Sequence, residues 1–154
     1  LIDRGAAESA AAPEPSRQEH RAMAVKLNQR SYEYAQTLIQ DRQCVLDQRS
    51  DWSDHQPSRQ AQKKIIDQQG WAEFRRWHLG EDDELSEHSK SRYKFPYGDF
   101  VQVHRCAVLA AEARAGQYKY TDIELAAAHL HGMLEELMAL LQSGSQERGR
   151  VSSL

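Results

Sequence analysis

The chain has no long apolar run, little excess charge of either sign, and few of the residue pairings that announce a chemistry. A transmembrane helix needs about 20 consecutive apolar residues, and no stretch approaches that. The first residues also lack the apolar core of a secretion signal, so a cytoplasmic location with no membrane partner is expected. Cysteine is scarce: the 154 residues contain 2, Cys44 and Cys106. They form no Cys-x-x-Cys pair and are too few for a disulfide framework. Reduced, partly buried thiols are the simpler reading, with a single bridge as the alternative. The formal net charge of −3 argues against a dominant polyanion-binding surface, leaving room for a local basic patch. No internal repeat is evident, and no motif specifies a reaction.

What the chain does have is enough apolar material, 40% of residues, for one core, and enough charge, 28%, for a well-solvated surface. Residues 1–22 are rich in Ala, Glu, Pro and Ser and read as a disordered leader. Residues 23–142 read as a single helical domain, and 143–154, without apolar periodicity, as a flexible tail. Leu27, Tyr34, Leu38 and Ile39 predict a first helix ending near Gln43. Asp51 to Pro57 is polar and turn-rich, a loop. A second helix starts at Pro57 or Ser58 and closes near Gly70. Trp71, Phe74, Trp77 and His78 continue at helical spacing, with Gly80 as C′ residue. Glu81 to Lys94 is a charged connection, and Tyr93 to Tyr97, holding Pro96, is an extended aromatic-proline strap. Gly98 and Asp99 then cap a fourth helix from Phe100 to Ala115.

The strongest local signal is Tyr120 to Glu124. Thr121 and Glu124 have capping-box spacing, and Tyr120 and Leu125 stand where a hydrophobic staple would place them. Behind this start, Ile123, Ala127, Leu130, Leu134, Leu137 and Leu141 form a helical stripe. The short link from Gly116 to Tyr120 makes the last two helices a C-terminal antiparallel hairpin, and small alanines permit close approach. The expected fold is therefore all-α: an irregular bundle of four to five helices with the strap laid across it. Its core should contain Trp71, Phe74, Trp77, Phe95, Phe100, Val103, Leu109, Leu130, Leu134 and Leu137.

The sequence Lys94-Phe-Pro-Tyr-Gly-Asp-Phe, then Val103-His-Arg105 and Ala110-Ala-Glu-Ala-Arg114, resembles a short module of small uncharacterised bacterial and phage-associated proteins, over residues 94–131. The resemblance implies a structural unit, an extended segment docked by its proline and aromatics followed by a helical hairpin. It implies no activity.

Candidate chemistry is sparse. His131 and Glu135 share one helix face, and Glu124 lies on nearly the same face, which makes these three a metal-binding alternative; a dinuclear iron site would add Glu-x-x-His, which is absent. His129 and His131, and likewise His104 and Cys106, are two apart and would diverge on a helix. Cys106 sits in an apolar run where a thiol is inert. Asp99, His104 and Arg105 read as a helix cap and two surface side chains, so no catalytic residue and no cofactor is assigned. A nucleic-acid alternative rests on Lys63, Lys64, Arg75, Arg76 and Lys94 interleaved with Trp71, Trp77, Tyr93 and Tyr97. The favoured reading is a non-enzymatic protein that works by protein–protein contact, including self-association. Leu125, Met133, Met138 and Leu140 lie outside the main stripe of the last helix, and Arg105 and Arg114 would complement its acidic residues.

Overall fold

The structure, a computed structural model, describes residues 24–152, with side chains as far as Gly144; the leader of residues 1–22 lies outside the described residues. In chain order the elements are β1 (Val25–Leu27), α1 (Gln29–Gln40), β2 (Cys44–Val45), α2 (Trp52–His55), α3 (Arg59–Gln69), α4 (Trp71–Arg76), β3 (His78–Asp82), β4 (Tyr93–Pro96), β5 (Val103–His104), α5 (Arg105–Gln117) and α6 (Thr121–Ser152). The fold is mostly helical but mixed, and the all-α expectation is corrected by two small sheets. One is antiparallel with strand order β1-β3-β4, and in the other β2 pairs with β5 in parallel.

The strands were hard to read because they are short and unevenly buried. β3 is covered on both faces, so it lacks the alternation of a half-exposed strand. Gly80, expected to end a helix, stands in the middle of β3. A Cβ there would lie 2.9 Å from Ile123 Cδ1 and 3.0 Å from Phe95 Cδ2, so the glycine lets α6 and the Phe95 ring close on the sheet. The strap expected over Tyr93 to Tyr97 is extended, as strand β4 at the sheet edge, where a proline is tolerated.

Local capping sets several boundaries. Asn28 accepts the Ser31 N–H at the start of α1, and Ser58 accepts the Ala61 N–H at the start of α3. Gly70, at φ +90°, turns the chain between α3 and α4. The helix expected from Phe100 begins only at Arg105. The Asp99 carboxylate accepts the Val101 and Gln102 N–H groups, which folds residues 99–102 into a turn and returns the chain to β5.

The start of α6 is where it was expected, but its chemistry differs. Thr121 is the first helical residue, and Asp122, not Thr121, makes the notable bond by accepting the Leu27 N–H of β1. Leu125 is 64% exposed, so it staples nothing. The stripe itself is covered by the chain's own elements: Ile123, Ala127, Leu130 and Leu134 are fully buried. Leu137 is half-buried and Leu141 is exposed, and the helix continues past Gln142 to Ser152. α5 runs antiparallel to α6, as the pairs Glu112–His131 and Arg105–Glu135 show. Alanines 107, 111 and 115 are buried between α5 and its neighbours.

The core holds Phe74, Trp77, Phe95, Val103, Leu109, Leu130 and Leu134 as expected, while Trp71 and Phe100 are half-buried. It also takes in Leu79, Tyr97, Val108 and Ile123. Replacing Leu134 by Ala should cost about 2–5 kcal/mol in a denaturant titration; a loss under about 1 kcal/mol would contradict its placement.

Candidate metal centre

The parallel pairing of β2 with β5 sets Val45 beside His104 and carries the following loop across the entrance of α5. The orphan N–H groups of that entrance need acceptors. His104, in the N-cap position, makes no side-chain cap, and Asp47 takes over from across the fold. Its Oδ1 accepts the Cys106 N–H at 2.7 Å, and its carbonyl accepts from the Arg105 guanidinium at 3.0 Å.

The other carboxylate oxygen, Oδ2, is a point of convergence. His55 Nδ1 lies 2.7 Å from it, His104 Nδ1 2.8 Å, and the Cys106 thiol donates to it at 3.0 Å. His55 Nδ1 and Cys106 Sγ are 3.9 Å apart. One ligating atom from each of Asp47, His55, His104 and Cys106 lies within 4.8 Å of all the others. Asp47, His104 and Cys106 are buried, and His55, on α2, forms the exposed edge. Behind His104, its Nε2 meets Asp99 Oδ2 at 2.8 Å, so one imidazole is gripped by carboxylates on both nitrogens. The turn at residues 99–102 fixes Asp99 through backbone donors.

Charge follows this geometry. Burial works against the Asp47 carboxylate, but the bonds from the Cys106 thiol and amide and from both histidines outweigh it and hold its pKa down at about 2. Burial likewise opposes the His104 cation, and the two carboxylates overcome it, so its pKa is raised. The Cys106 thiol is pushed up, first by burial and then by Asp47.

A nucleophilic relay does not fit. Such a relay needs acid and nucleophile on opposite nitrogens of one imidazole, whereas His55 presents Nδ1 to both Asp47 and Cys106. Cys106 is also fully buried, with a raised pKa. A four-ligand metal site fits better. With metal–nitrogen and metal–oxygen bonds of ~2.0–2.2 Å and a metal–sulfur bond of ~2.3 Å, the edges of a tetrahedral site are ~3.3–3.8 Å. The close pairs here would open slightly around an ion and the distant ones contract.

Comparison with protein families, curated proteins and solved structures finds no match. The site is therefore read from its own geometry.

The residues singled out in the sequence lie elsewhere or behave otherwise. His131 bonds Glu112 through Nδ1 at 2.8 Å and approaches Glu135 through Nε2 at 3.3 Å, while Glu124 sits beside Gly116, some two turns away. Arg105 is bound to Glu135 at 2.6 Å and to the Asp47 carbonyl. Of the nucleic-acid candidates, Lys63 and Lys64 are exposed, but Arg75 pairs with Glu81 and Arg76 with Glu73, with Arg76 also over the Tyr34 ring. Trp77, Tyr93 and Tyr97 are buried rather than available for stacking on bases. Lys94 and Arg114 line a separate cavity. Leu125 and Leu140 are exposed, whereas Met133 packs on the core and Met138 is half-buried.

His104 is not a surface side chain but a buried one. Nor do His104 and Cys106 diverge, because the residue pair straddles a strand end and the first turn of a helix: His104 has extended backbone, φ −110° and ψ 127°. The visible signal was the His-x-Cys spacing. Its partners, Asp47 and His55, stand in a polar stretch that offers no periodicity to place them.

Proposed function

We propose that this is a small metal-binding protein in which Asp47, His55, His104 and Cys106 hold one zinc-class divalent ion. The observation that carries this reading is the convergence of four ligating atoms of the right types within 4.8 Å, three of the four residues being buried. Mixed thiolate, imidazole and carboxylate ligands suit zinc, whose d¹⁰ shell imposes no geometry of its own. The Asp99–His104 bond supports it, since ligating imidazoles are commonly oriented by a carboxylate on their other nitrogen. Four protein ligands close the coordination sphere, so the ion's role is structural rather than catalytic. It would fasten the loop of residues 46–57 to the junction of β5 and α5, adding its binding energy to folding.

Refolding chelator-stripped protein with Co²⁺ tests this. One retained ion per chain with a thiolate-to-cobalt absorption band is expected. Cys106→Ala should abolish the band, while Glu135→Gln, on the outer side of Arg105, should leave it. Refolded parent chain that retains no ion would overturn the proposal.

A further inference from the structure

A cavity whose lining includes none of the four cluster residues borders α5. Along α5, Ala107, Ala110, Ala111 and Arg114 fall at the helical spacings that share one face, and all four line this cavity of about 620 Å³. The space exists because three successive positions on this face carry only a methyl group. Strand β4 and the link between α5 and α6 supply the opposite wall. There Tyr118 and Tyr120 are stacked at 5.8 Å between centroids with 20° between planes, and Phe95 meets Tyr120 edge-on at 5.8 Å. Trp52 also lines the space.

Two features go beyond ordinary packing. Lys94 and Arg114 both border this aromatic-walled space, and among the described residues neither makes an ion pair or a side-chain hydrogen bond. Lys94 is half-buried and Arg114 exposed, and two unneutralised cations beside apolar walls attract an anion, which the Arg114 guanidinium can hold through charge-assisted hydrogen bonds. Phe95, moreover, is held at φ +63°, a conformation that bulky side chains rarely adopt. Backbone outliers of this kind are found at functional sites, and the Phe95 ring meets Tyr120 edge-on in this wall.

We infer that this cavity binds a small planar aromatic ligand carrying one anionic group, its ring against the alanine and tyrosine walls and its anion between Lys94 and Arg114. The volume is in the range of small-molecule sites, about 300–1,000 Å³. An aromatic carboxylate and an aromatic monophosphate share this chemistry. The inference is independent of the metal: none of the cavity-lining residues is one of the four ligands.

Calorimetry on the full chain with three probes tests it: indole-3-acetate, adenosine monophosphate and uncharged indole. At least one of the anions should bind at least about tenfold more tightly than indole, and which one does so identifies the anionic group. Arg114→Gln, an exposed side chain whose loss leaves the fold intact, should weaken that binding about tenfold. Ala110→Leu, at a half-buried position, should fill the wall and abolish binding with the melting temperature retained. Failure of both anions at millimolar concentration would refute the site. So would indole binding as well as the anions, or binding indifferent to both substitutions.

Discussion

Asp47→Asn should destabilise the metal-free protein by about 3–5 kcal/mol. The carboxylate accepts from the Cys106 amide and thiol and faces Nδ1 of both His55 and His104 while almost fully buried. An amide keeps the shape but replaces one acceptor oxygen with a donor NH₂. Either Cys106 loses its cap, or the histidines and the thiol face a donor, and each orphaned buried group costs about 1–3 kcal/mol. Urea titration with chelator present measures this directly. Glu135→Gln is the control, since Glu135 is 44% exposed, its bond to Arg105 is partly buried, and glutamine keeps an oxygen that can accept from the guanidinium. A loss for Asp47→Asn no larger than the control would mean that the cluster does not hold the loop to α5.

Between pH 6.5 and 4 the protein should lose about 3 kcal/mol of stability through His78 alone. His78 opens β3 with its Nδ1 at 2.7 Å from the Phe74 carbonyl, a bond the neutral ring makes by donating. Its ring lies 4.6 Å from Phe74 and near Tyr93 and Phe100. Burial disfavours the cation and lowers the pKa from 6.5 to about 4, against the raising effect of the Phe74 bond. The unfolded chain therefore takes up a proton below pH 6.5 that the folded chain refuses until about pH 4. The stabilisation is complete above 6.5 and lost as the pH falls through this window. His104 has the opposite shift, so its contribution is already complete below 6.5 and fades at higher pH. The lowered carboxylates act beneath about pH 4.5. Denaturant titrations of the parent and of His78→Gln at several pH values isolate the effect. A parent curve as flat as the variant's would show that His78 is not excluded from water.

These two residues mark where reading the sequence stops. The helix starting near Thr121 and its stripe of Ile123, Ala127, Leu130 and Leu134 were legible because each successive residue reports the same period. The strand at Tyr93–Pro96 was legible too, because proline fixes its own φ and disfavours helix before it, although Phe95 itself stands at φ +63°. β3 was not: five residues buried on both faces, with a glycine in the middle, look like a helix end followed by a charged connection. The helix expected from Phe100 started five residues late because Asp99 holds a turn that no periodic pattern announces.

The candidate centre is assembled from residues 47, 55, 104 and 106, which are separated by up to 59 positions. Local spacing alone determined the long amphipathic helix, the extended strap and the absence of any familiar catalytic motif, because those depend on interactions within a few residues. Only the tertiary structure decided that a short parallel pairing of Cys44 and Val45 with Val103 and His104 brings the Asp47 carboxylate onto the entrance of α5. That pairing depends on loop closure between distant segments, and the unsatisfied N–H of Cys106 gives the loop its reason to settle there.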